Sequence, residues 1–296
     1  MTTRRHFLAM LSSTAAAGLA TPAFASLSPA IDATADATRR INIAGRQRML
    51  TQRMAKAVGF ARLGIETEMH LDQARDAHAL FERSLRGLRY GDPELGLMSE
   101  KNSKVRDGLG VVSSLWFDYG SAVANSVAKR RVDDTDFETI VSQNLTILKE
   151  MNRTVGYIER AYGGSEIPLH LAVAINIAGR QRMFTQKMSK EVSMIAAGHA
   201  PDETRAALAE TVTLFDNSLD ALRNGMPMVG IQKPKTQEVN DQLARVAELW
   251  SALKPEVDGI ATGGALTDAT LVKVAEANNP LLVEMNKAVY LYENES

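Results

Sequence analysis

Residues 41–50 read INIAGRQRML, and residues 175–184 read INIAGRQRMF, 134 positions further on. The same shift pairs Phe81 with Phe215, Ser84-Leu85 with Ser218-Leu219, Pro93 with Pro227 and Leu115-Trp116 with Leu249-Trp250. It also pairs Glu150-Met151-Asn152 with Glu284-Met285-Asn286, and no insertion is needed. A duplication without gaps means two units of one fold, residues 41–162 and 175–296, each 122 residues long. Whatever one unit folds into, the other must also fold into, and each is long enough for its own core. The joint over residues 163–174, GGSEIPLHLAVA, is punctuated by glycines and Pro168.

Each unit reads as four helices. The first runs through the repeated decapeptide to about residue 65, and the second covers about 69–90. Gly91 with Pro93 beyond it is a usual stop, and Gly225 with Pro227 repeats it. The third helix spans about 101–129, with Val105, Leu109, Val112, Leu115 and Trp116 at helical spacing. The fourth spans about 136–162 on Ile140, Leu145, Leu148, Met151, Val155 and Ile158. Aromatic residues make up only 5% of the chain, which favours helices packed on helices over a β-sandwich. Four long helices on short links suit an up-down-up-down bundle. The expected fold is all-α: two tandem antiparallel four-helix bundles arranged as an internal pseudo-dimer, in a monomeric chain.

The start of the chain reads as a leader. Arg4-Arg5 precede an uncharged stretch from Phe7 to Ala25 that ends in Ala23-Phe24-Ala25, a small-x-small cleavage site. The pattern resembles a twin-arginine export signal and predicts a periplasmic product cleaved near Ala25. No other uncharged run approaches the ~18 to 20 residues of a membrane span. The expected organisation is a signal peptide over 1–25, a first bundle over 26–162, a linker over 163–174 and a second bundle over 175–296.

The two copies do not agree evenly. Over residues 41–58, 14 of 18 positions match, against 26 of 104 over residues 59–162. Every helix has a core, so packing alone does not explain why the first drifted least. On a helix, Ile41, Ala44, Gly45, Arg48, Gln52 and Ala55 share one face, while Ile43, Leu50, Met54 and Val58 form an ordinary core stripe. Arg48 is therefore expected among small residues, beside the core. Glycine inside a helix costs about 1 kcal/mol against alanine. Gly45 is justified by close approach of a backbone or a ligand. Ala178, Gly179, Arg182, Gln186 and Ser189 repeat the pattern.

NIAGRQRMLTQRM and NIAGRQRMFTQKM resemble the Asn-x-Ala-Gly-x-x-Arg-Met segment of the PilJ-type sensory domain. That domain is the extracytoplasmic module of NarX/NarQ-type nitrate/nitrite sensor kinases and of PilJ-type chemotaxis transducers of type IV pili. Phe81, Leu85 and Leu88 before Gly91, with LKEMN and LVEMN near the unit ends, extend the resemblance over both units. It implies a four-helix bundle that pairs along its first helices, and a motif arginine from each partner on one shared anion. Those arginines correspond to Arg48 and Arg182, and the motif glycines to Gly45 and Gly179. The nitrate sensors carry Lys where Ile43 and Ile177 stand, and Ser-Leu where Arg46-Gln47 and Arg180-Gln181 stand.

The expected anion site therefore comprises Arg48, Arg182, Gly45 and Gly179, with Gln52 and Gln186 either as added donors or as caps of the polar edge. A planar guanidinium fork suits a planar oxyanion. The competing reading of the arginines is an interhelical salt bridge. Arg46, Arg53, Arg180 and Lys187 are expected as solvated charge, and Met49, Met54, Met183 and Met188 as core filler rather than copper ligands. The chain has no cysteine, its histidines share no spacing between copies, and no nucleophile–base pair is repeated. Neither an enzyme nor a metal or cofactor site is expected, and a net charge of −1 gives no reason to expect nucleic acid. The expected function is recognition of nitrate or nitrite between the two first helices, reported to a membrane receptor or sensor kinase. The alternative is a ligand-free interaction module that docks on a chemotaxis receptor or type IV pilus component.

Overall fold

The computed structural model describes residues 31–294. The leader, with its twin arginine and cleavage site, lies outside the described residues. Eight α-helices follow in order: α1 (Ala33–Arg62), α2 (Thr67–Tyr90), α3 (Ser103–Lys129), α4 (Asp134–Tyr162), α5 (Leu169–Ala196), α6 (Pro201–Asn224), α7 (Gln237–Ala261) and α8 (Asp268–Glu293). No strand occurs among the described residues. In each unit the four helices pack in sequence order, and the fourth returns to the first, forming an antiparallel bundle.

The helix ends follow local chemistry. α1 is capped by Asp32, which accepts from the amide of Ala35, and α3 by Asn102, which accepts from Val105. α2 and α6 stop at Gly91 and Gly225, whose φ of 87° and 79° suits glycine. Pro93 and Pro227 then open matching 3-10 turns. Both first helices begin earlier than the repeated motif indicates. α5 starts at Leu169, directly after Pro168, inside the stretch expected to be linker. The six residues ahead of Ile175 are helical because Leu171, Ala172 and Ala174 are buried and extend the α5 face.

The bundles are joined through α1 and α5, the most extensive helix pair in the molecule. The pair runs parallel and in register. A Cβ on Gly45 would stand 3.9 Å from the Cα of Gly179, and one on Gly59 would meet the side chain of Ser193. Each partner lies 134 positions away, so the pseudo-two-fold axis runs along the seam. The seam also alters the faces read from the sequence. Arg48 lies inside the joint rather than beside a core, because the second bundle covers the small-residue face of the first.

Candidate functional site

The α1–α5 seam holds the residues shared most closely by the two copies, arranged in layers. In the layer at Gly45 and Gly179 the two helices cross without side chains between them. The Nη2 atoms of Arg48 and Arg182 lie 3.3 and 3.6 Å from where a Cβ on Gly45 would stand. They lie 3.3 and 3.5 Å from the same point on Gly179. Both guanidinium edges thus converge on the space that the two missing Cβ atoms leave. Arg48 is 0% exposed and Arg182 3%.

Each arginine is held by the opposite copy. Arg48 Nη2 donates to the backbone carbonyl of Asn176 at 3.1 Å, and Arg182 Nη2 to that of Asn42 at 3.1 Å. Within its own unit, Arg48 Nη1 donates to Asn152 Oδ1 at 2.9 Å and Arg182 Nη1 to Asn286 Oδ1 at 3.4 Å. Asn42 and Asn176 donate in turn to Glu293 and Glu159, again across the seam. Neither arginine forms a salt bridge among the described residues, and the Nε atom of each is buried with no hydrogen-bond partner. Burial pushes each guanidinium down to about 9. Arg180 and Arg182 push Arg48 the same way, as Arg46 does Arg182, while Glu159 and Glu293 oppose. At neutral pH both stay charged.

Arg182 also lines a solvent-open cleft of about 550 Å³ whose wall includes Arg46, Arg53, Asn42, Asn286 and Tyr290. Arg46 and Arg53, expected as solvated charge, are half-buried there, and burial lowers both. Among the described residues Asp76 is the one acidic member of this wall, against three arginines, so the mouth is cationic. Gln52 and Gln186 lie one turn further along the seam. Their Nε2 groups donate to Thr51 and Thr185, and Gln186 also to Asn278. Both Oε1 atoms are buried and unpaired. The structure therefore gathers Arg48, Arg182, Gly45 and Gly179 and leaves the two glutamines in a separate layer. Met49, Met54, Met183 and Met188 are buried in the core.

A further layer was not singled out from the sequence. Lys56 and its mate Lys190 are both buried. Lys56 Nζ donates to Asn278 Oδ1 in the other bundle at 3.3 Å, and Lys190 Nζ to Asn144 Oδ1 at 3.3 Å. Asn144 and Asn278 also correspond under the repeat, as do Glu159 and Glu293. They are among the few matches outside the first helix, and that was the available signal.

Burial lowers Lys190 to about 8, against the raising influence of Glu191 and with that of Lys187; Glu203 and Glu210 of α6 line the same recess. The folded value lies below the unfolded 10.5, so the unfolded chain binds more protons between those limits and stability rises with pH across them. Lys190→Met should stabilise the chain at pH 7 by about 1 to 2 kcal/mol. The gain should shrink as pH rises through that window. Urea denaturation of both proteins at pH 7 and 10 checks it; a gain independent of pH would mean that Lys190 is not the group responsible.

Two four-helix bundles are thus joined through parallel first helices, with polar layers buried in the joint. The family model described as PilJ, type IV pili methyl-accepting chemotaxis transducer N-term, matches residues 31–135 and again residues 168–276. The chain belongs to this family. Its model is that of a transducer's extracytoplasmic domain, a signalling rather than a catalytic unit. The methyl-accepting chemotaxis protein McpN of Pseudomonas aeruginosa is 27% identical over 132 residues, 43% of this chain and 24% of McpN. The chain thus matches about a quarter of that protein's length. Neither description names an anion. No helix among the described residues is long and apolar enough to cross a membrane.

Proposed function

We propose that this chain is an exported signalling module that docks on a membrane-bound chemotaxis receptor or type IV pilus component. The chemotaxis setting comes from the family and from McpN, and it supports docking more directly than it supports any ligand. In this reading the chain is a monomer that carries within itself the paired bundles other modules form by association, over the domain limits read from the repeat.

A second reading adds the stimulus, a small oxyanion, with nitrate or nitrite the first candidates from the resemblance. One observation favours it: two buried guanidiniums converge on one glycine-lined point, and among the described residues neither is paired with a carboxylate. An isolated buried charge is expensive unless something neutralises it. An anion between the two would do so, with the cationic cleft beside Arg182 as its approach.

Thermal melting of the full chain with nitrate, nitrite, sulfate and chloride at constant ionic strength tests this. At 100 times the dissociation constant the bound anion should add about 2.7 kcal/mol. For a chain of this size that is a rise of about 5 °C. Equal melting in all four salts would leave the ligand-free docking module as the function.

A further inference from the structure

The two halves differ at one place where the seam reaches the surface. In the second half a recess of about 440 Å³ opens between α4, α5 and α6, and Lys190, Glu191 and Asn144 lie at its polar end. Val141, Leu145, Met194 and Ala207 supply apolar wall, and Glu203 and Glu210 stand on the α6 side. Glu191 is 2% exposed, and its Oε2 is buried with no hydrogen-bond partner. Its other oxygen accepts from Lys187. Lys190 Nζ, also buried, bonds only Asn144 Oδ1 among the described partners and keeps donors to spare.

In the first half the corresponding volume is taken up by side chains. Phe60 stands where Met194 does, His70 where Thr204 does, and Gln73 where Ala207 does. The Phe60 and His70 rings stack at 5.0 Å, and Gln73 Oε1 accepts from Lys56 at 3.1 Å. Ala57 occupies the place of Glu191. The second half thus replaces three bulky groups with smaller ones over the same buried lysine, and adds a buried carboxylate beside it.

We propose that this recess binds a small aliphatic α-amino acid, with its carboxylate on Lys190, its ammonium on Glu191 and its side chain against Val141, Leu145, Met194 and Ala207. The spare donors of Lys190 require an acceptor, and the unpaired Glu191 oxygen requires a donor. A zwitterion supplies both on adjacent atoms, and satisfying buried polar groups is what makes such a site selective. Glu203 and Glu210 disfavour a bare anion here, so this site and the arginine seat take different ligands. The first half cannot duplicate it, because Phe60, His70 and Gln73 occupy the space and the acceptor is absent.

Calorimetric titration of the full chain with L-leucine, L-valine, 4-methylpentanoate and isoamylamine tests the assignment. L-Leucine or L-valine should bind saturably at one site per chain. The two probes that keep a single charge should bind at least about tenfold more weakly, because each leaves one buried group unpaired. Ala207→Gln combined with Thr204→His rebuilds the filling of the other half with residues this fold already holds there, and should abolish binding. Glu191→Gln should weaken binding at least about tenfold, and Lys56→Met should leave it unchanged. Absence of saturable binding by both amino acids would overturn the proposal, as would equal binding of the single-charge probes. So would binding that survives the filled variant.

Discussion

Replacing Arg40 with methionine is expected to destabilise the folded chain by about 3 to 5 kcal/mol, the largest loss anticipated for any single change in the seam helices. Arg40 is buried, and all five of its donors are used. Nε and Nη2 donate to the two oxygens of Asp36, at 3.1 and 3.0 Å. Nη1 donates to Glu100 Oε2 and to the Leu88 carbonyl, both at 3.0 Å, and Nη2 also to the Met98 carbonyl at 2.6 Å. Tyr162 closes the cluster, with its hydroxyl on Glu100 at 2.7 Å and its ring 5.4 Å from the guanidinium carbon. Methionine keeps much of the volume and removes the charge. Asp36 and Glu100, each 2% exposed, then stay buried without their cation. The melting temperature should fall by about 5 to 10 °C. A change of less than 2 °C would show that water or a shift of α1 replaces the arginine at little cost.

Arg40 also shows why some of this molecule could not be read from the repeat. Its place in the second half is taken by Ala174, that of Asp36 by His170 and that of Glu100 by Pro234. Comparing the copies therefore gave no sign of it. The bundle was legible because Gly91, Pro93 and their mates end helices by local backbone chemistry, and because the apolar spacing on α3 and α4 is regular. The start of α5 was not legible, since tertiary burial of Leu171 and Ala172 decides it. Arg48 and Gly45 were legible as an arginine and a glycine that a helix does not need for its own sake. Their partners Asn42, Asn176, Glu159 and Glu293 match between the copies, but the bonds that join them run between different halves and leave no periodic trace. Lys56 lies in the segment shared most closely, but a lysine on a helix ordinarily reaches solvent, so its burial leaves no mark in the sequence. The amino-acid recess was hidden for another reason: it arises from lost volume at Met194, Thr204 and Ala207, and a smaller side chain at an unmatched position carries no signal in sequence.

Replacing Arg48 or Arg182 with methionine should act in the opposite sense to Arg40. Arg40 is a cation inside its own carboxylate cage, whereas Arg48 and Arg182 meet carbonyls and amides and face each other. Their Nη2 atoms both lie within 3.6 Å of one point, which sets them at most about 7 Å apart. At that separation and an effective dielectric near 20, two unit charges repel by about 2 kcal/mol. Either single replacement removes that repulsion and one buried charge, so the ligand-free protein should melt at the same temperature or higher. Asn152, Asn176 and their mates lose only a neutral acceptor's partner, a smaller penalty than stranding a charge. The response to nitrate or nitrite should disappear in each single variant, and the double variant should add little further loss, because both arginines serve one seat. Gly45→Val tests the same point from the other side. It keeps both charges and fills the space between them, so it should also abolish the anion response while leaving Arg40 and its carboxylates intact. Should either single methionine variant instead lose 3 kcal/mol or more with no anion response in the parent protein, the two arginines would be structural donors to Asn176 and Asn42. The seam would then be a rigid joint through which the docked module transmits its orientation.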